Sequence, residues 1–215
     1  MYRYILFDLD GTLSDPGEGI TRSVAYALAH FGIEVSDRSA LYPFIGPPLL
    51  DSFAKYYGFD EQKARVALEQ YRVYFRQKGM LENTLYPKTV WLLEQLKAKN
   101  KVLILATSKP EAFAEQILAH FGIRQYFDCV AGASMDETRS KKSDVIAYAL
   151  QKAGVNAGEA AVMVGDREHD VLGAHANALP CIGVLWGYGS ETEHRAAGAD
   201  HLARTMEELL AALVE

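Results

Sequence analysis

Short unbroken apolar runs, not alternating ones, mark the strands of this chain. Tyr2–Phe7, Lys101–Ala106, Ala160–Val164 and Cys181–Leu185 are four, and Asp128–Gly132 is a weaker fifth. Runs without polar alternation suit a parallel sheet covered on both faces. Helical spacing fills the intervals at Thr89–Lys99, Glu111–Phe121, Lys142–Ala153 and Asp170–Ala176, with a last amphipathic helix over Met206–Val214. From about residue 86 onward strand and helix alternate, which predicts a doubly wound α/β domain.

The segment 15–85 breaks that alternation. It reads as three helices, Gly19–Phe31, Pro48–Tyr57 and Asp60–Lys78, entered at Pro16-Gly17 and left at Asn83 and Pro87. The expected organisation is a core domain of 1–14 and 86–215 with a helical module, 15–85, inserted after the first strand. Tyr71, Tyr74 and Phe75 fall at i, i+3 and i+4 and predict the module's core stripe. Phe44-Ile45-Gly46-Pro47-Pro48 predicts a stiff loop with a hydrophobic tip, which makes Phe44 and Gly46 candidate substrate contacts. The two short connections are expected to act as a hinge that brings this loop over the site. The module holds eight Lys/Arg against nine Asp/Glu. That near-neutrality favours a small or ring-bearing ligand over a polyanion.

Composition narrows the picture. The chain has 215 residues, 49% hydrophobic and 23% charged, with net charge −6. That is ordinary for a globular protein and argues against disorder. The nearest thing to a basic run is Arg139-Ser140-Lys141-Lys142, so nucleic acid and anionic membranes are poor partners. No apolar run approaches the roughly 18 residues that span a bilayer. The start of the sequence has no signal-peptide pattern, which predicts a cytoplasmic protein. Cys129 and Cys181 sit in strand-like stretches and read as small buried hydrophobes, without zinc-ligand spacing.

In parallel α/β sheets ligands bind at the carboxyl ends of strands. The first strand ends in Asp8-Leu9-Asp10-Gly11-Thr12, the second in Thr107-Ser108-Lys109. Lys141-Lys142-Ser143 precedes a helix, and Gly165-Asp166-Arg167-Glu168-His169-Asp170 follows another strand. Gathered on one edge, these residues supply four or five carboxylates, a hydroxyl and an ammonium. Two carboxylates about 4 Å apart repel by roughly 4 kcal/mol at an effective dielectric near 20. Such a cluster takes up protons or holds a cation. Hard oxygen donors without a Cys or His cluster select Mg²⁺.

Asp8-x-Asp10-x-Thr12, the strand-end Thr107, a Lys before a helix and Gly165-Asp166-x-x-x-Asp170 resemble the four motifs of the haloacid dehalogenase-like superfamily of hydrolases. They occur in the family's order over almost the whole chain. Asp-Leu-Asp-Gly-Thr-Leu-Ser-Asp, Gly-Asp-Arg-Glu-His-Asp and Trp186-Gly187-Tyr188-Gly189-Ser190 are most similar to its phosphoglycolate phosphatase and 5′-nucleotidase-like branch. The resemblance implies a Rossmann-like parallel-sheet core with a small α-helical cap inserted after the first strand. It implies Asp8 as nucleophile, forming an aspartyl-phosphate, and Asp10 as acid and then base. Thr12, Thr107 and the amides near Ser108 would bind phosphoryl oxygens, and Lys142 would neutralise charge on nucleophile and phosphate. Asp8, the Asp10 carbonyl oxygen, Asp166 and Asp170 would hold Mg²⁺. Lys141 is the rival for the lysine role, and spacing to Asp144 favours Lys142.

The implied function is a Mg²⁺-dependent phosphatase acting on a small phosphorylated metabolite, as a monomer or homodimer. A sugar-phosphate mutase shares the motifs and stays open. A dehalogenase is expected to lack the second aspartate, and a phosphonatase needs a cap lysine for which only Lys55 is an early candidate. A phospho-acceptor signalling domain fits poorly with Asp10 and the large insertion. His169 reads as a local capping residue, not a base. Gly187-x-Gly189 lacks the third glycine of a dinucleotide loop, since Thr192 stands there.

Overall fold

The protein was analysed as a computed structural model that describes residues 2–156 and 158–214. Strand β1 (Tyr4–Phe7) starts the chain, and a two-residue strand, β2 (Ser14–Asp15), follows it. Next come helices α1 (Gly17–Ala29), α2 (Leu49–Tyr57) and α3 (Glu61–Tyr74), then β3 (Thr84–Leu85), which pairs with β2 in a small separate sheet. The remainder runs α4 (Thr89–Ala98), β4 (Val102–Pro110), α5 (Glu111–His120), β5 (Cys129–Ala133), α6 (Lys142–Ala153), β6 (Ala161–Gly165), α7 (Glu168–Ala176), β7 (Cys181–Val184), α8 (Glu191–Ala197), β8 (His201–Ala203) and α9 (Met206–Val214). The chain divides into two compact units, Met1–Ser14 with Leu85–Glu215, and Asp15–Thr84.

The larger unit is a six-stranded sheet in the order β5-β4-β1-β6-β7-β8, with every pairing parallel. Its central strands are apolar throughout because both faces are covered. Ile5, Leu6 and Phe7 have no exposed surface. Val145, Ile146 and Ala149 of α6 join one core cluster with Leu6, Ile104 and Met163. From β1 the chain builds β4 and β5 on one side, then β6, β7 and β8 on the other. The order therefore reverses at β1, and a ligand crevice forms at such a switch point, beyond the carboxyl ends. Phe7 pairs with Leu105 and with Val164. Asp8, Ala106 and Gly165 consequently lie side by side at that edge.

The smaller unit is helical, with an aromatic core. Phe53 meets Phe44 edge-on at 5.1 Å and stacks on Phe59 at 5.9 Å. Asp60 caps α3 by accepting the Lys63 N–H at 2.8 Å. Tyr71 and Phe75 are buried and stacked at 5.4 Å, while Tyr74 is only half-buried. The helix expected to run unbroken to Lys78 changes to a π-turn over Phe75–Gly79. There α1 comes so close that a Cβ on Gly19 would stand 1.9 Å from the Gly79 carbonyl oxygen.

Other expectations also shift. β4 does not stop at Ala106 but stays extended through Thr107-Ser108-Lys109 to Pro110. α7 begins at Glu168, so Asp170 lies inside its first turn. The loop expected from Phe44 to Pro48 is irregular over residues 45–48, and only its first residue, Phe44, is helical, as the end of a 3-10 helix over Arg38–Phe44. Both cysteines are buried and free. Among the described residues no helix is long and apolar enough to cross a membrane.

Candidate active site

Immediately past β1 the chain folds tightly back. The Leu13 and Ser14 amides both donate to the Leu9 carbonyl, at 2.9 and 3.0 Å, and the Gly11 amide donates to Ser14 O at 2.8 Å. Gly11 takes φ +81°, a left-handed conformation that favours glycine. The turn keeps Asp8 and Asp10 on one small arc. The Leu9 amide donates to Asp8 Oδ1 at 2.8 Å.

α6 delivers the cation. Lys142 Nζ lies 2.9 Å from Asp8 Oδ1 and 2.8 Å from Asp170 Oδ1, and it donates to the Ala106 carbonyl at 3.1 Å. Its neighbour Lys141 is exposed, in extended backbone ahead of the helix. Of the two lysines, the fold places Lys142 among the acids. Burial works against its charge, but Asp170 and Asp8 outweigh that and hold its pKa above the usual lysine value.

Three acids converge. Asp8, Asp166 and Asp170 are buried and offer oxygens that all lie within 4.8 Å of one another. Burial pushes Asp8 up to about 6; Lys142 opposes this, and Asp170 and Asp10 add to it. Burial, then Asp170 and Asp8, drive Asp166 well above the usual carboxylate range. The Tyr188 amide donates to Asp166 Oδ2 at 2.7 Å. Asp166 Oδ1 is buried with no hydrogen-bond partner among the described residues. Asp170 Oδ2 accepts the Arg167 amide at 3.0 Å, closing the first turn of α7.

Backbone walls hold these acids together. A Cβ on Gly165 would stand 2.1 Å from the Asp170 carboxyl carbon, and one on Gly11 2.0 Å from Asp166 Oδ2. One on Gly187 would stand 2.3 Å from the Gly11 carbonyl oxygen and 2.4 Å from Asp166 Cβ. Gly187 and Gly189 thus serve close packing against Asp166. A cluster of buried hard oxygens, one of them unpartnered, fits a small divalent cation. Asp8, Asp166 and Asp170 are the residues that can hold it. The Asp10 carboxylate, expected to serve as acid and base, lies with Oδ2 2.8 Å from Lys109 Nζ; the ligand expected from this residue is its carbonyl oxygen, not its carboxylate.

β4 reaches the same edge. Its register with β5 shifts between Thr107 and Pro110, so Ser108 and Lys109 drop out of the ladder. Thr107 is buried and its Oγ1 accepts the Lys109 amide at 3.2 Å; Ser108 is half-buried. Thr12 Oγ1 is buried without a hydrogen-bond partner among the described residues, and the Thr12 carbonyl accepts Trp186 Nε1 at 3.0 Å.

Phe44 and Gly46 belong to the smaller unit. Phe44 is 2% exposed, so the side chain expected at the loop's hydrophobic tip packs into the aromatic core of its own unit. The 3-10 turn ending at Phe44 rotates the ring inward, where it gains apolar contacts. Gly46 is half-buried at φ +103°, a glycine conformation. His169 is half-buried, with Glu168 3.8 Å away, and burial lowers its pKa. The residue that sequence reasoning passed over is Lys109. Its strand-end position was the available signal, and its partner Asp10 is remote in sequence.

Comparison with known proteins agrees with this geometry. The family model for haloacid dehalogenase-like hydrolases matches residues 5–184. A 5′-nucleotidase from Pseudomonas aeruginosa is 48% identical over 200 residues, 93% of this chain and 90% of that one. The tyrosine-protein kinase PtkA of Mycobacterium tuberculosis is 41% identical over 185 residues, 86% of this chain but 62% of that longer one. The crystal structure of a predicted phosphatase from Clostridium acetobutylicum superposes with a TM-score of 0.97 at 48% identity, covering 100% of this chain and 99% of that one. The chain therefore belongs to the haloacid dehalogenase-like hydrolases, as a phosphatase.

Proposed function

We propose that this phosphatase hydrolyses phosphomonoesters of small metabolites through an aspartyl-phosphate on Asp8, with nucleoside 5′-monophosphates as the leading substrate class. The observation that carries the mechanism is the Lys142–Asp8 pair, 2.9 Å apart and almost wholly buried. A carboxylate so held has a fixed direction and a neutralised neighbour, which suits in-line attack on phosphorus. The substrate class is supported by the likeness to the Pseudomonas 5′-nucleotidase.

In the first step an Asp8 oxygen bonds to phosphorus and the ester P–O bond breaks. The departing alkoxide takes the proton of Asp10 and leaves as an alcohol. In the second, water gives a proton to Asp10 while its oxygen bonds to phosphorus and the P–O bond to Asp8 breaks, releasing phosphate. Lys142 stabilises the growing negative charge throughout. Thr12, Thr107 and the Ser108 amide, freed from the β4–β5 ladder, are the donors we assign to the phosphoryl oxygens. Asp8, Asp166 and Asp170 would hold Mg²⁺. When bound, that ion neutralises the acids and the phosphoryl charge.

The test is phosphate release from a panel of nucleoside monophosphates, sugar phosphates and phosphoglycolate, with acid-quench mass spectrometry for a phosphate on Asp8. Turnover with a trapped adduct in wild type, and neither in Asp8→Asn, is the expected result. Isomerised sugar phosphate without phosphate release would make the protein a mutase. Substantial turnover by Asp8→Asn would end the mechanism.

A further inference from the structure

The Asp10 carboxylate is held asymmetrically. Lys109 Nζ lies 2.8 Å from Oδ2, and both side chains are almost wholly buried, at 5% and 10% exposure. Oδ1 is buried and has no hydrogen-bond partner among the described residues. Placing an ammonium and a carboxylate together out of water costs desolvation that their attraction only partly offsets. A pair of this kind is better suited to specifying geometry than to adding stability.

The backbone is shaped to present this lysine. The β4–β5 register slips between Thr107 and Pro110. An irregularity of this sort re-aims the side chains it contains. The Lys109 amide, released from the ladder, is taken up by Thr107 Oγ1 at 3.2 Å. Opposite Thr107, a Cβ on Gly132 would stand 2.7 Å from the Lys109 carbonyl oxygen, so only glycine lets β5 approach the irregular stretch. Thr107 and Gly132 together fix where Lys109 starts, and Asp10 fixes where it ends.

We infer that Lys109 is a positioning residue for the acid–base step: by clamping Oδ2 of Asp10 it dedicates Oδ1 to proton exchange with the leaving group and then with water. The inference rests on the hydrolytic reading above, in which Asp10 carries the proton. In this inference Lys109 acts on neither phosphorus nor the alcohol directly. Its effect runs through the orientation of one carboxylate, and a misplacement of about 1 Å at such a group costs on the order of 10²-fold in rate.

The experiment uses p-nitrophenyl phosphate, whose leaving group departs without a proton. In Lys109→Met the first step should survive, and nitrophenol should appear as a burst of about one equivalent at a rate within about threefold of wild type. The second step needs a correctly aimed base, so steady turnover should fall by roughly 10²-fold. Lys109→Met added to Asp10→Asn should change steady turnover by less than about twofold, since the group it acts through is gone. That double variant removes both charges of the pair together, and the comparison stands even if Lys109→Met alone folds poorly. Loss of the burst, an equal penalty in both backgrounds, or a raised KM at unchanged kcat would each overturn the inference. Wild-type protein that turns over without a phosphoenzyme would instead overturn the hydrolytic reading beneath it.

Discussion

The Lys142 ammonium sits 2.9 Å from Asp8 Oδ1, with both side chains about 4% exposed. An ammonium has three N–H groups. Here it has three oxygen neighbours, from Asp8, Asp170 and the Ala106 carbonyl. The helix that carries the lysine is thereby tied to the end of β1, to the body of β4 and to the first turn of α7. Lys142→Met should lower turnover by roughly 10²-fold or more, the scale of one preorganised charge-stabilising group. Lys141→Ala should stay within about twofold. Steady-state kinetics on the two purified variants decides, and the reverse order would move the role to Lys141.

Asp8 links stability to pH. Its folded value of about 6 lies above the unfolded 3.8. Between those values the native state binds a proton that the unfolded chain does not, so metal-free stability falls as pH rises from about 4 to about 6. The upward shift of Asp166 acts in the same direction. Asp128, Glu193 and Asp200, whose pKa values are lowered, have already contributed their stability above the usual carboxylate range. In EDTA the Tm should therefore be higher near pH 5 than near pH 7.5. Saturating Mg²⁺ should raise Tm more near pH 7.5, because the ligands must be deprotonated. Thermal melts at both pH values check this, and an equal Mg²⁺ shift at each would argue against a cation among these acids.

Gly187→Ala should damage metal binding. Its Cβ would stand 2.3 Å from the Gly11 carbonyl oxygen and 2.4 Å from Asp166 Cβ, so backbone or acid must move. We expect the Mg²⁺ concentration for half-maximal activity to rise at least tenfold, with a lowered Tm. Titration of activity against Mg²⁺ reads this directly, and an unchanged requirement would show that the loop yields freely.

Phe44→Ala should act on stability. The ring is 2% exposed and packs against Phe53, Tyr56 and Tyr57. Removing a buried Phe side chain costs about 3–5 kcal/mol. Denaturant melts should show that loss, with the preference between a nucleotide and p-nitrophenyl phosphate unchanged at a temperature where the variant is folded. A changed preference at full stability would restore the substrate-contact role expected from the loop's sequence.

The parallel core is legible in the sequence because buried strands are apolar throughout, as Tyr4–Phe7 and Ala161–Gly165 illustrate. The acid residues are legible because they follow such runs directly. Weakly patterned elements are not. β8 has three residues, and α8 buries only His194, too little for a period to show. The 3-10 helix over Arg38–Phe44, with Pro43 inside it, is too short and irregular for a helical period to show. The end of β4 is hidden because Thr107-Ser108-Lys109 is polar, and polarity there serves the site, not a turn. The strand-end position of Lys109 puts it near the site, but nothing local names its partner: only the pairing of β1 with β4 brings it to Asp10.

The glycine walls around the acids carry a lesson for redesign. Gly11, Gly165 and Gly187 bound the pocket with main chain, not with side chains that can be trimmed or exchanged. No substitution at these positions enlarges the pocket, because each can only add atoms where a carboxylate or carbonyl already stands. A protein engineer seeking new specificity has to leave this end of the crevice untouched and vary the residues that meet the departing alcohol.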